Sequence, residues 1–132
     1  LDAGNAPGVL AGMDVIVDAL DTISSRHVLL QAARELRTPL VHAAIAGFTG
    51  QVATILPDET GSPDLFARST DSDRGVETLL GNPAATPALA AALQAQEVVK
   101  LITGVGQPLR GQLLYFDMEY NLFETIQMKR GE

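Results

Sequence analysis

Residues 14–20, Asp-Val-Ile-Val-Asp-Ala-Leu, form a short apolar run in which polar and apolar residues do not alternate. A strand that faces water on one side alternates, so this run predicts a strand buried on both faces, as in a parallel sheet. After it, Val28, Leu29, Ala32, Ala33 and Leu36 recur at helical spacing, with Arg26, Gln31, Arg34, Glu35 and Arg37 between them. Thr22 is placed to cap that helix, Arg34 and Arg37 suit its C-terminal end, and Thr38-Pro39 stops it. Residues 40–45, Leu-Val-His-Ala-Ala-Ile, form a second run of the first kind. Strand, helix and strand in this order predict a right-handed βαβ crossover and an α/β fold.

The remainder adds elements of another kind. Residues 51–56 predict a third strand ended by Pro57, and Gly47 and Gly50 before it permit a tight reversal. From 58 to 86 the periodicity disappears among Asp, Ser, Gly, Pro, Thr and Arg, which predicts a long crossover loop, mobile over about 61–82. Pro87 opens a helix that runs to Thr103 and stops at Gly104. Its stripe of Ala88, Ala91, Ala92, Ala95, Val98, Val99 and Ile102 is expected against the sheet, with Leu89 and Leu93 on a second apolar side. The alternating segments 112–117 and 122–129 predict a hairpin turning near Glu119, Tyr120 and Asn121. Residues 2–8 carry loop composition behind a leading Leu1, and a chain that opens this way is expected to be part of a longer protein.

Composition narrows the chemistry. At 132 residues the chain is one domain's length. A formal charge of −7 repels phosphate backbones and anionic lipid, so neither nucleic acid nor membrane is an expected partner. With no cysteine the chain has no disulfide, thiolate zinc site, iron–sulfur cluster or thiol nucleophile of its own. No apolar run approaches a membrane span and no signal peptide is readable, so the expected location is the cytoplasm.

The strongest candidate for chemistry is Asp18-Ala19-Leu20-Asp21-Thr22, where a strand's carboxyl end meets a helix N-terminus. Open α/β sheets bind ligands in that crevice. Asp21 there either holds a magnesium ion against phosphates or supports the end of the helix; spacing alone favours the second. His27 is expected beside a polar helix face and His42 as a hydrogen-bonded core imidazole; neither is assigned a catalytic role. Asp71-Ser72-Asp73-Arg74-Gly75 departs from a calcium loop in its glycine position, and Asn82 stands where such a loop needs Glu. Gly104-Val105-Gly106 follows a helix rather than a strand, so it is a helix stop and no dinucleotide fingerprint. Ser24-Ser25 lacks the partners of a triad.

Several strings, in order, resemble the ThiF/MoeB/HesA family of the ubiquitin-activating-enzyme-like adenylyltransferase superfamily. Asp18-Ala19-Leu20-Asp21-Thr22 followed by Arg26 is similar to that family's Asp-x-x-Asp-Asn string with an Arg in the next helix. Gly47-Phe48-Thr49-Gly50 matches its Gly-x-x-Gly step before a Val- or Ile-rich strand. Gln94-Ala95-Gln96-Glu97-Val98-Val99-Lys100 matches its Gln-Ala-x-Glu-x-x-Lys string, ahead of a Gly-rich turn and the closing hairpin.

The resemblance implies the C-terminal half of an adenylation domain spanning 1–132: a Rossmann-like, partly parallel sheet with an antiparallel extension and C-terminal hairpin. It implies ATP-dependent adenylation of the C-terminal glycine of a ubiquitin-like sulfur-carrier protein. Asp21 would be the metal-holding and catalytic acid, with Thr22 and Arg26 beside it at the nucleotide, and ATP and magnesium as cofactors of the complete parent. Thr22 departs from the family's Asn, and the zinc-binding Cys-x-x-Cys pairs of many members are absent, so no zinc is expected. The family's glycine-rich nucleotide loop precedes the first strand seen here, so the isolated chain is expected to be inactive. A homodimer is expected, with Leu89 and Leu93 offering a surface for it. The alternative is a non-catalytic interaction or dimerisation module of the same fold; a fragment of a dinucleotide-dependent oxidoreductase is disfavoured by the missing fingerprint.

Overall fold

A computed structural model of the chain describes residues 1–59 and 81–128. The elements, in order, are α1 (Ala6–Leu10), β1 (Ile16–Asp18), α2 (Ile23–Glu35), β2 (Leu40–Ala46), β3 (Thr49–Ile55), α3 (Ala85–Thr103), β4 (Gln112–Asp117) and β5 (Leu122–Gln127). One sheet carries the strands in the order β1-β2-β3-β4-β5. β1 and β2 are parallel, as the βαβ pattern predicts, and every later pairing is antiparallel.

The parallel register sets Asp18 beside His42, and strand alternation then divides β2 between two faces. Leu40 joins Ile16 and Ile55 against Leu29, Leu30 and Ala33 of α2. Val41 and Ala43 join Val52 and Phe116 against Ala90 of α3. A sheet with a helix on each face explains why residues 40–43 do not alternate. β1 is shorter than the apolar run predicts and is buried on one side only: Ile16 and Asp18 are covered, while Val17 is 44% exposed. Its second edge has no strand neighbour among the described residues.

Local chemistry fixes the boundaries. α2 is capped by Thr22, whose hydroxyl accepts the Ser25 N–H. It ends before Thr38-Pro39, because Arg37 takes a left-handed φ of 54° and Thr38 N–H returns to Ala33 O at 2.9 Å, in Schellman geometry. α3 begins two residues before Pro87 and ends at Gly104, with φ 69° and its N–H on Lys100 O. The N-terminal stretch expected as loop contains the short helix α1, since Asp2 O accepts the N–H groups of Asn5 and Ala6 and the buried Ala6 packs in. The expected mobile crossover falls mostly on residues 60–80, which lie outside the described residues.

β2 and β3 form a hairpin through Gly47-Phe48, and β3 starts two residues earlier than the apolar pattern alone predicts. Gly50 lies opposite Phe116, a fully buried ring stacked on Phe123 with centroids 6.1 Å apart. A Cβ on Gly50 would stand 2.6 Å from Phe116 Cε1. Gly50→Ala is therefore expected to destabilise the fold by about 1–3 kcal/mol through overpacking. Chemical denaturation checks it; an unchanged midpoint would mean that Phe116 moves aside freely.

The sequence expectation for α3 holds at Val98 and is otherwise reversed. Thr86, Ala90, Gln94 and Glu97 are its buried residues, and Leu89, Leu93, Val98 and Leu101 pack with the core. Ala88, Ala91, Ala92 and Ala95 face outward, with Val99 and Ile102 exposed by 48% and 66%. Leu89 and Leu93 thus belong to the sheet side and are half-buried against the core. The reason is polar: the helix is apolar all round, and hydrogen bonds select the face that docks. Thr86 Oγ1 donates to Gly47 O at 2.8 Å, and Gln94 Nε2 donates to Asp18 O at 2.8 Å and Val41 O at 3.1 Å. Glu97 Oε2 accepts from Thr54 Oγ1 at 2.7 Å and from Leu109 N–H at 2.8 Å, and Lys100 pairs with Oε1.

Candidate functional site

The carboxyl ends of β1 and β2, the β1–α2 loop and the N-terminal half of α3 enclose a cleft of about 350 Å³. Asp18 and Gln94 contribute to its polar lining, Ala43, Ala44 and Ala90 to its apolar lining, and Asp21 stands among the loop residues that border it. This is where the crevice rule for open α/β sheets places a ligand.

Of the sequence-predicted residues, Asp21 is exposed, and among the described residues no hydrogen bond or ion pair engages its carboxylate. The helix end is served by its neighbour: Thr22 Oγ1 accepts the Ser25 N–H at 3.3 Å and shares a 2.5 Å hydrogen bond with Ser25 Oγ. Arg26 reaches back under the loop. Its Nε and Nη2 donate to Leu20 O at 3.0 and 2.6 Å, and its Nη1 donates to Ala43 O at 3.0 Å. All three predicted residues therefore cluster at one end of the sheet, with different employment. Asp21 presents a carboxylate, Thr22 caps, and Arg26 holds backbone.

Beneath the loop lies a group that the sequence reading did not assemble. Asp18 is 1% exposed, and its Oδ2 accepts from Nδ1 of the fully buried His42 at 2.6 Å. The same oxygen is 3.8 Å from Arg26 Nη1, and Oδ1 accepts the Leu20 N–H at 3.0 Å. The expected hydrogen-bonded core imidazole at His42 is present, and its partner is Asp18. A signal existed in the sequence: one carboxylate and one imidazole, each in an otherwise apolar strand, must find polar partners once buried. His27, by contrast, is exposed on α2 beside a small groove against α1.

Among the described residues no three His, Cys, Asp or Glu side chains gather to hold a metal ion. An ion at the cleft would depend on the Asp21 carboxylate together with oxygens of a ligand and water. Magnesium tolerates that arrangement, whereas a closed structural site does not. Also among the described residues, no helix is long and apolar enough to cross a membrane.

The chain is 36% identical over 130 residues to the SAMP-activating enzyme E1 of Haloferax volcanii, covering 96% of this chain and 47% of that protein. It is 33% identical over 144 residues to a sulfur carrier protein adenylyltransferase of Thermus thermophilus, covering 99% and 51%. Protein HesA of Nostoc is 34% identical over 127 residues, with 96% and 49% covered. The chain thus spans about half the length of these relatives. Among solved structures, E. coli MccB with MccA-N7isoASN superposes with a TM-score of 0.78 at 16% identity, over 99% of this chain and 42% of that one. PaaA superposes with a TM-score of 0.71 at 18% identity, over 97% and 46%. At these identities the superpositions establish the fold alone. The ThiF family model matches residues 1–132, and the chain belongs to the ThiF family.

Proposed function

We propose that this chain forms the strand-end part of an ATP-dependent adenylyltransferase that activates the C-terminal glycine of a ubiquitin-like sulfur-carrier protein. The observation that carries the reading is Asp21: an exposed carboxylate at the cleft, not engaged among the described residues and not needed as the helix cap. The names of the Haloferax and Thermus relatives support the substrate class.

On this reading a carboxylate oxygen of the carrier's terminal glycine attacks the α-phosphorus of ATP. The new O–P bond forms as the bond to the β-phosphate bridge breaks and pyrophosphate leaves. Little covalent chemistry falls to the protein, so alignment and charge neutralisation are its tasks. Magnesium, held by Asp21 together with phosphate oxygens, supplies that neutralisation when bound. Thr22 sets the start of α2 at the nucleotide side, and Arg26 places a positive charge beside the cleft-lining Leu20 and Ala43. The apolar wall of Ala43, Ala44 and Ala90 excludes water from the acyl phosphate. The same reading makes the complete protein a cytoplasmic homodimer.

ATP–pyrophosphate exchange by the complete protein tests the proposal. Exchange that requires magnesium and a sulfur-carrier protein with an intact terminal glycine is the expected result. Carrier binding without exchange would overturn it in favour of a non-catalytic interaction module.

A further inference from the structure

We propose that Asp18, held by His42 and joined by Arg26, is a positioning residue for Asp21. This rests on the reading of Asp21 as the metal-holding acid and adds what keeps that acid in place. Leu20, the residue immediately before Asp21, has both backbone polar groups taken by side chains. Its N–H donates to Asp18 Oδ1 at 3.0 Å, and its carbonyl accepts from two nitrogens of Arg26 at 3.0 and 2.6 Å. The two peptide groups that flank Leu20 are therefore each held by a side chain, the second of them the one that leads into Asp21.

The clamp is itself fixed from below. The two oxygens of Asp18 are divided: Oδ1 serves the loop, and Oδ2 accepts from His42 Nδ1 at 2.6 Å. The divided use sets the carboxylate plane. His42 is fully buried in β2, so the orientation of Asp18 is referred to the rigid sheet rather than to the loop. The backbone carbonyl of Asp18 is anchored by Gln94 of α3 at 2.8 Å, and Arg26 Nη1 ties α2 to Ala43 O of β2 at 3.0 Å. Side chains from α2, β2 and α3 thus converge on residues 18–20.

Stability alone is a poor reason for this arrangement. Desolvating a carboxylate cancels much of what its partners return, and a well-packed apolar pair commonly serves a core as well. What the buried network supplies is a defined geometry for an exposed loop. A metal-holding carboxylate needs that definition, since outer groups orient the ligand.

Three variants of the complete protein test the proposal, with two readouts: hydrogen exchange of the Leu20 amide, and affinity for Mn²⁺ together with a non-hydrolysable ATP analogue. His42→Leu fills the space without the hydrogen bond. It should speed Leu20 exchange and weaken Mn²⁺–nucleotide binding by about tenfold, with exchange in α3 unchanged. His42→Asn, which can return a donor to the place of Nδ1, should restore both. Should His42→Leu not fold, Arg26→Gln, at a side chain 16% exposed, removes the other half of the clamp and is read by Leu20 exchange, which should speed up while exchange in α3 stays unchanged. Asp21→Asn separates the two ideas. If it abolishes Mn²⁺–nucleotide binding while the clamp variants bind normally, the positioning role is overturned and the metal role of Asp21 stands. If Asp21→Asn itself binds normally, the metal role fails and the positioning role falls with it.

Discussion

Replacing Asp21 with alanine in the complete protein is expected to lower the rate of adenylation by about 10²–10³-fold, the usual cost of removing one charge-stabilising group from a transition state. Stability should hardly change. The Thr22 hydroxyl already caps α2, and among the described residues no partner is left behind when the Asp21 carboxylate goes. What remains is its interaction with the helix dipole, worth about 0.3–1 kcal/mol at an exposed position. Asp21→Asn should be nearly as slow, because it keeps the shape and loses the charge. Steady-state turnover at saturating magnesium-ATP, beside a thermal melt of each variant, checks the pair. Near-normal turnover in both would leave Asp21 with no role beyond the end of α2.

Glu97→Ala is expected to have the opposite profile, a loss of about 3–5 kcal/mol in stability. Glu97 is buried, and one carboxylate joins three places in the chain. It accepts from Thr54 of β3, from the Leu109 N–H after α3, and from Lys100 one helical turn on. Truncation leaves a buried hydroxyl and a backbone N–H without their acceptor and Lys100 without its counter-charge. Denaturant unfolding measures it. A loss below about 1 kcal/mol would mean that water or rearrangement replaces the carboxylate. The Gln-Ala-x-Glu-x-x-Lys string is thus a docking device in this chain: Gln94 binds β1 and β2, and Glu97 with Lys100 binds β3 and the following loop.

The contrast between these residues shows where local sequence suffices. Asp21 sits in a string whose meaning is local, a strand end followed by a helix start, and its exposure follows from that position. Asp18 and His42 are 24 residues apart and meet because β1 and β2 are parallel and in one register. A slip of one residue would turn His42 to the α3 face and leave Asp18 without it. No local rule sets that register.

By itself the sequence determined the parallel βαβ unit, the caps of α2 at Thr22 and of α3 at Gly104, the β4–β5 hairpin and the position of Asp21. All of these follow from interactions among residues close in the chain: periodicity, capping and turn chemistry. Tertiary structure alone decided which side of α3 docks. Apolar residues surround that helix, so periodicity could not separate Ala88, Ala91, Ala92 and Ala95 from Leu89, Ala90 and Leu93. Thr86, Gln94 and Glu97 decide it, because their polar groups reach acceptors and donors on strands and loops far away in sequence and cannot be buried without them. The clamp around Leu20 belongs to the same class, since its parts come from β1, α2 and β2 and exist as a unit only after the sheet has closed upon them.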